Sequence, residues 1–285
     1  MLTITLLGTA ATMPLPDRAL STAFAACGGH GLLFDCGEGT QAAARRAGVN
    51  LMRADAVCLT HYHGDHIFGL PGRCCWWGRK GLPASGAPCV PSPGRCPMPC
   101  ACRKQTGRWH WMRCRRAGRR VLCCAPLPPG TGCPAWVIGW SCPGQAGSTR
   151  PGPGRWGCRC SNGNFCTVAP AEVLGAPRRG LSMVFSGDTA PCAALEQAAQ
   201  GADLLICDAT YALPEQEAQA AQWGHSTFGQ SAALAARAGA HRLWLTHYSP
   251  MITDPEADLP QAQSIFPAAV CGADGIQITL QYEEA

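Results

Sequence analysis

Residues 60–66 read Thr60-His61-Tyr62-His63-Gly64-Asp65-His66, three imidazoles and a carboxylate within a few positions. They directly follow the apolar run Ala56-Val57-Cys58-Leu59, which is expected to be a strand ending at Thr60. Imidazole nitrogens and carboxylate oxygens are the donors that suit zinc. His61 and His63, two residues apart at a strand end, point the same way and can hold one ion. Gly64 lets the chain turn, so that Asp65 and His66 face a second ion beside the first. The bland alternative is a polar surface turn; four such donors placed directly after a strand argue against it.

Two further candidates occupy the same kind of position. Asp188, in Ser186-Gly187-Asp188-Thr189, follows an expected strand ending at Phe185, and His247, in Leu245-Thr246-His247-Tyr248, follows another. Loops beyond the carboxyl ends of strands in an α/β sheet gather on one edge, where ligands bind. Asp188 is placed to bridge both ions and His247 to complete the second. Taken alone, either reads as a turn residue bonded to its own backbone; beside the histidine cluster, both read as ligands.

These donors need elements that bring separate strand ends together. Leu2 to Leu7, Leu32 to Phe34, Met183 to Phe185, Leu204 to Ile206, Leu243 to Leu245 and Ile276 to Leu280 have strand character. Thr40 to Ala47 is expected to be a helix stopped by Gly48. Pro191 can open a helix running to Gln200 and stopping at Gly201. Thr227 and Gln230 have capping-box spacing for a helix reaching about Ala238, before Gly239. Strands alternating with helices argue for layered α/β.

Composition divides the chain unevenly. Fourteen of the 20 cysteines and seven of the nine tryptophans lie in residues 73–166. That window carries thirteen Arg, two Lys and no Asp or Glu, a local charge of +15, against −10 for the remainder. The net charge of +5 therefore describes neither part. The uneven cysteine distribution argues against a secreted disulfide scaffold. No apolar run is long enough to span a membrane. Met1-Leu2-Thr3-Ile4-Thr5 lacks the basic flank of a signal peptide, so the expected location is cytoplasmic.

Residues 73–166 show no sustained period of 2 or 3.6 and are expected to be irregular or disordered. Their Trp, Cys, Arg, Pro and Gly are what GC-rich codons specify when read out of phase. A one-base shift across Gly132 to Trp140 permits Val-Pro-Cys-Leu-Gly-Tyr-Arg-Leu. The same shift across Cys74-Cys75-Trp76-Trp77 permits a Leu-Leu-Val continuation of Gly69-Leu70-Pro71-Gly72. A frameshift closing near Cys166 is the leading explanation of this segment. A zinc-binding nucleic-acid module needs a Cys-x-x-Cys spacing that never occurs here. A disordered, basic RNA-binding insert is physically possible, although its tryptophans and cysteines favour aggregation.

His-Tyr-His-Gly-Asp-His, Ser-Gly-Asp-Thr and Leu-Thr-His, in this order, resemble the metal motifs of the metallo-β-lactamase superfamily. Leu7-Gly8-Thr9, Asp35-Cys36-Gly37-Glu38-Gly39-Thr40-Gln41, Pro170 to Gly175, Asp208-Ala209-Thr210-Tyr211 and Gly224-His225-Ser226-Thr227 resemble its ribonuclease Z branch. The resemblance covers 1–72 and about 167–255. It implies an α/β fold, the αββα sandwich, forming one domain over 1–285 interrupted at about 73–166. It also implies a zinc-dependent endoribonuclease that cleaves the 3′ trailer from precursor tRNA, with two zincs sharing a hydroxide. The metal ligands would be His61, His63, Asp65, His66, Asp188 and His247. Asp65 would also accept a proton, His225 would protonate the leaving oxygen, and Asp208 would hold the His225 tautomer. His225 has a second reading, a helix-start residue with a structural hydrogen bond. Arg18 and Ser21 are candidates for contact with substrate phosphate, and a plain surface role fits them equally. A homodimer is implied by the resemblance alone.

The chain departs from this family in the middle. The family supplies a further metal-binding His there, and this frame has none; His110, the segment's only histidine, has nothing in its setting that marks a ligand. The first ion would keep His61, His63 and Asp188 only, which should weaken it. The family's tRNA-gripping arm is also unrecognisable. Two other functions therefore stand beside the first: another hydrolase of phosphodiesters or esters on the same scaffold, and a catalytically impaired product of a shifted frame.

Overall fold

The computed structural model describes residues 1–70 and 179–282, together with the backbone of five short strands between 110 and 168. The first sheet is built from β1 (Leu2–Gly8), β2 (Thr22–Cys27), β3 (His30–Phe34), β4 (Ala54–Cys58) and β14 (Gln277–Leu280), in the order β14-β1-β2-β3-β4. Its pairs are antiparallel except β3 with β4.

The second sheet has the order β13-β12-β11-β10-β7-β6-β5. Its parallel half consists of β10 (Leu181–Phe185), β11 (Leu204–Asp208), β12 (Leu243–Thr246) and β13 (Ala269–Cys271). Every residue of β11 and β12 is buried, as expected for strands covered on both faces. The antiparallel half consists of β5 (His110–Cys114), β6 (Arg119–Cys123) and β7 (Ile138–Cys142). A separate ribbon pairs β8 (Trp156–Arg159) with β9 (Phe165–Val168).

These five strands correct the expectation that 73–166 is irregular or disordered throughout. β7 pairs with β10, Cys142 opposite Leu181 and Ile138 opposite Phe185. The physical reason is that ladder bonds come from the backbone. The outer edge of β10 offers a row of N–H and C=O groups that an extended segment can pair whatever its side-chain period. The positions at which a family His and arm were expected lie outside the described residues.

Side chains of β1, β2 and β3 meet those of β10, β11 and Trp244 in one core, so the two sheets stack face to face. Helix α1 (Thr40–Arg46) covers the outside of the first sheet through Ala43 and Ala44, packed with Phe24 and Leu33. The outside of the second is covered by α3 (Ala193–Ala198), α5 (Phe228–Ala238) and α6 (Pro255–Ile265). The layers are thus helix, sheet, sheet, helix, the αββα sandwich. Two further helices, α2 (Gly64–Ile67) and α4 (Glu217–Trp223), sit where the chain turns toward the site.

Local signals explain several boundaries. Thr227 and Gln230 form a reciprocal capping box on α5, which ends at Gly239 with φ 61°. α1 ends as expected, with Gly48 at φ 69° just beyond. Two boundaries differ. The helix expected from Pro191 begins only at Ala193, because Cys192 is extended and serves as its N-cap. β4 ends at Cys58, two residues early, because Thr60 leaves the ladder to bond Asp35.

Candidate metal centre

Three neighbouring parallel strands deliver three of the site's side chains from their carboxyl ends. Asp188 follows β10, Asp208 closes β11 and His247 follows β12. The turn before Asp188 requires glycine twice over. Gly187 has φ 63°, and a Cβ there would stand 2.7 Å from the Thr60 Cβ. That close approach seats Asp188 against the histidine loop of the other sheet.

The histidine cluster lies on the loop 59–63 and helix α2, not on a strand tip. Asp35, buried at φ 58°, organises it. Its carboxylate accepts the Thr60 N–H and hydroxyl, each at 2.7 Å, and lies 2.8 Å from His66 Nδ1. Thr60 Oγ1 is in turn 3.1 Å from His61 Nδ1. With Nδ1 occupied, each ring directs Nε2 toward the site. Asp65 accepts the Thr12 N–H at 2.9 Å, so the loop after β1 also shapes the centre.

Beside a third cluster of Asp208, His225 and His247, two groups of donors converge on Asp188. His61, His63 and Asp188 form one; Asp65, His66, Asp188 and His247 form the other, the ligand atoms of each lying within 4.8 Å of one another. Asp188 belongs to both, with Oδ2 3.5 Å from His61 Nε2 and Oδ1 3.1 Å from both His66 Nε2 and His247 Nε2. These last three atoms are buried and none is aligned for a hydrogen bond. Buried polar atoms without partners are costly. A shared cation satisfies all three at once, so the residues fit a metal. The first group is the more open, since His63 is exposed.

Charge in the site follows from burial and these neighbours. Burial lowers His61 to about 4, against the pull of Asp188, so its ring is neutral and ready to donate a lone pair. Burial alone would also lower His66, but the Asp188 and Asp35 carboxylates outweigh it and raise the ring to about 11. Burial disfavours ionised Asp65, yet His247 and His66 hold it at about 2. The surrounding imidazoles likewise keep Asp188 ionised despite its burial.

His225 stands beside this centre at the junction of α4 and α5, after Gly224 at φ 76°. Its Nδ1 is 2.8 Å from Asp208 Oδ2, and its ring stacks on His247 at 5.3 Å. Burial lowers its pKa, but Asp208 more than compensates and raises it above the ordinary histidine value. A cleft of about 480 Å³ opens over the site, lined by Thr12, Met13, His63, Asp65, Asp188, His225 and His247 among others.

Arg18 and Ser21 are placed elsewhere. Arg18 donates to the Ile252 and Thr253 carbonyls, at 2.7 and 3.2 Å, and is largely buried. Ser21 is buried, with its N–H on the Ala10 carbonyl. Neither lines the cleft. Both brace the loop after β1, apart from the cleft beside which a phosphate contact was expected. Sequence reasoning missed Asp35, Thr60 and Thr210 as supports. Asp35 stood in a motif already singled out, Asp-Cys-Gly-Glu-Gly, and that was the available signal.

The fold and the paired donor groups define a metallo-β-lactamase-type hydrolase scaffold. Residues 20–73 match the family model of the metallo-beta-lactamase superfamily, and residues 172–248 match that of a beta-lactamase superfamily domain. Ribonuclease Z of Lachnoclostridium phytofermentans is 33% identical over 312 residues, covering 100% of this chain and 99% of that protein. Ribonuclease Z of Agathobacter rectalis is 32% identical over 314 residues, covering 100% of each. The crystal structure of the human tRNase Z short form superposes with a TM-score of 0.56 at 23% identity, covering 98% of this chain and 99% of that one. The chain belongs to the ribonuclease Z family, a family of metal-dependent hydrolases. Among the described residues, no helix is long and apolar enough to cross a membrane.

Proposed function

We propose that this chain is a zinc-dependent endoribonuclease that removes the 3′ trailer from precursor tRNA. The observation that carries the reading is the convergence of His66 Nε2, Asp188 Oδ1 and His247 Nε2, all buried and unpartnered, on one point beside an open cleft. His61, His63 and Asp188 would hold one zinc, and Asp65, His66, Asp188 and His247 a second. When bound, the ions supply Lewis-acid stabilisation of phosphoryl oxygen charge and a nucleophile at neutral pH.

The chain's own residues do the rest. Asp65, fixed by the Thr12 N–H and facing the cleft, orients the attacking oxygen and accepts its proton. His225, kept protonated by Asp208, gives its Nε2 proton to the leaving 3′ oxygen. The family resemblance supports a homodimer and one domain over 1–285 interrupted at 73–166. Zinc content, with cleavage of precursor tRNA measured against a chromogenic phosphodiester, tests the reading. Cleavage of the small ester alone would favour a different hydrolase of this scaffold.

A second reading is favoured by one observation. The 73–166 window carries +15 against −10 elsewhere and lacks a histidine near 130, as expected of a shifted frame. On that reading the first zinc is weak, the preparation is poorly soluble and activity is impaired. The nucleotide sequence across codons 70–170 decides it. An uninterrupted frame with the same segment in close homologues ends this reading, as does a soluble, active dizinc preparation.

A further inference from the structure

Two carboxylates stand behind the donor groups, and each is used in the same way. Asp35 bears His66 directly and reaches His61 through the Thr60 hydroxyl. Asp208 bears His225 directly and reaches His247 through the Thr210 hydroxyl. Thr210 is buried, and its N–H and its hydroxyl both donate to Asp208 Oδ1, each at 3.0 Å. Its Oγ1 lies 2.9 Å from His247 Nδ1 and 3.1 Å from His225 Nδ1.

A hydroxyl has one proton and two lone pairs. With its proton given to Asp208, Thr210 Oγ1 offers the rings only lone pairs. A ring nitrogen 2.9 Å from such an oxygen must carry the hydrogen. His247 therefore keeps its proton on Nδ1 and its lone pair on Nε2, the atom that faces Asp65 and Asp188. The opposite tautomer would set two lone pairs against each other at Thr210.

We propose that Thr210 is a positioning residue. Its single hydroxyl fixes His247 in the Nε2-donating tautomer and anchors this ligand to the Asp208 carboxylate that bears His225 directly. The inference rests on the metal-site reading above and deepens it. Outer partners of ligating histidines typically set metal affinity by about 10–100-fold.

The test uses the full chain with 15N-labelled histidine, titrated with zinc against a chromophoric chelator. In the zinc-loaded protein, His247 is expected to show a protonated Nδ1 and a zinc-bearing Nε2. Thr210→Val should lower affinity for the site containing His247 by about 10–100-fold and mix the His247 tautomers. Thr210→Ser, which keeps the hydroxyl, should restore both. Thr60→Val should move the His61 signals and leave those of His247 in place. Zinc on His247 Nδ1 in the unaltered chain overturns the proposal, and this measurement needs no variant to fold. So does wild-type affinity and tautomer in Thr210→Val, or a matching His247 change in Thr60→Val. Failure of the unaltered chain to bind zinc sinks the metal-site reading itself, a distinct result.

Discussion

The Oδ1 atom of Asp188 and the Nε2 atom of His247 lie 3.1 Å apart, both buried and neither hydrogen-bonded. Asp188 also belongs to the group containing His61 and His63. Removing its charge should therefore disable both donor groups together. Asp188→Asn is expected to lower affinity for both ions by more than the ~10–100-fold typical of an outer partner. Metal content after dialysis checks it. Full loading of either group in the variant would contradict a bridging role.

Metal bound to the folded chain alone should stabilise it by mass action. At one hundred times the dissociation constant the gain is about 2.7 kcal/mol. For a chain of this size each 1 kcal/mol corresponds to roughly 2–4 °C. Chelation should thus lower the melting temperature by roughly 5–10 °C, and restored zinc should return it. A melting curve indifferent to chelator would leave the unpartnered atoms at His66, Asp188 and His247 unexplained by a cation.

The candidate donors were legible in the sequence because metal binding demands particular side chains, and His61, His63, Asp65 and His66 crowd one turn. The α5 boundaries were legible for a similar reason, since Thr227, Gln230 and Gly239 act within one helical turn of their own positions. The supports were not. Asp35 and Thr60 are 25 residues apart, and Thr210 and His247 are 37 apart. Nothing in a short polar side chain announces a partner that distant. β2 was missed because Thr22–Cys27 is rich in alanine, a weak strand former. α6 was missed although Asp254 and Pro255 supply its cap and first turn, because Pro260 interrupts the apparent helix.

Gly187 carries the approach of the two sheets at the site. Alanine there must adopt φ 63° and place its Cβ 2.7 Å from Thr60. Gly187→Ala should destabilise the fold by about 1–3 kcal/mol. It should also weaken metal binding, since Asp188 is the next residue. Denaturant unfolding with and without zinc separates the two effects. Unchanged stability in the metal-free variant would show that the turn has room to relax.

As the proposed acid, His225 would act only while protonated, and Asp208 raises its pKa. Activity carried by the protonated ring persists up to that raised value and falls above it. Asp208→Asn should move the alkaline limb of the rate profile to lower pH. His225→Ala should lower turnover by about 10²–10⁴-fold while leaving zinc bound. A His225→Ala variant that cleaves at the original rate would assign the leaving-group proton elsewhere.

Asp274 offers a pH test away from the metal. Burial raises its pKa, and the hydrogen bonds from Ala19 N–H and Thr9 hydroxyl only partly offset this. A carboxyl whose pKa is raised on folding binds more protons in the folded state. Stability then falls as pH rises from the ordinary carboxylate value through the raised one, and the cost persists above it. Asp274→Asn removes the titration, so the variant should gain on the unaltered chain as pH rises across that window. Because Asp274 clamps the loop carrying Thr12, which bonds Asp65, zinc affinity should change with it. Parallel stability curves for the two proteins between acid and neutral pH would show that the Asp274 carboxyl titrates alike in the folded and unfolded chain.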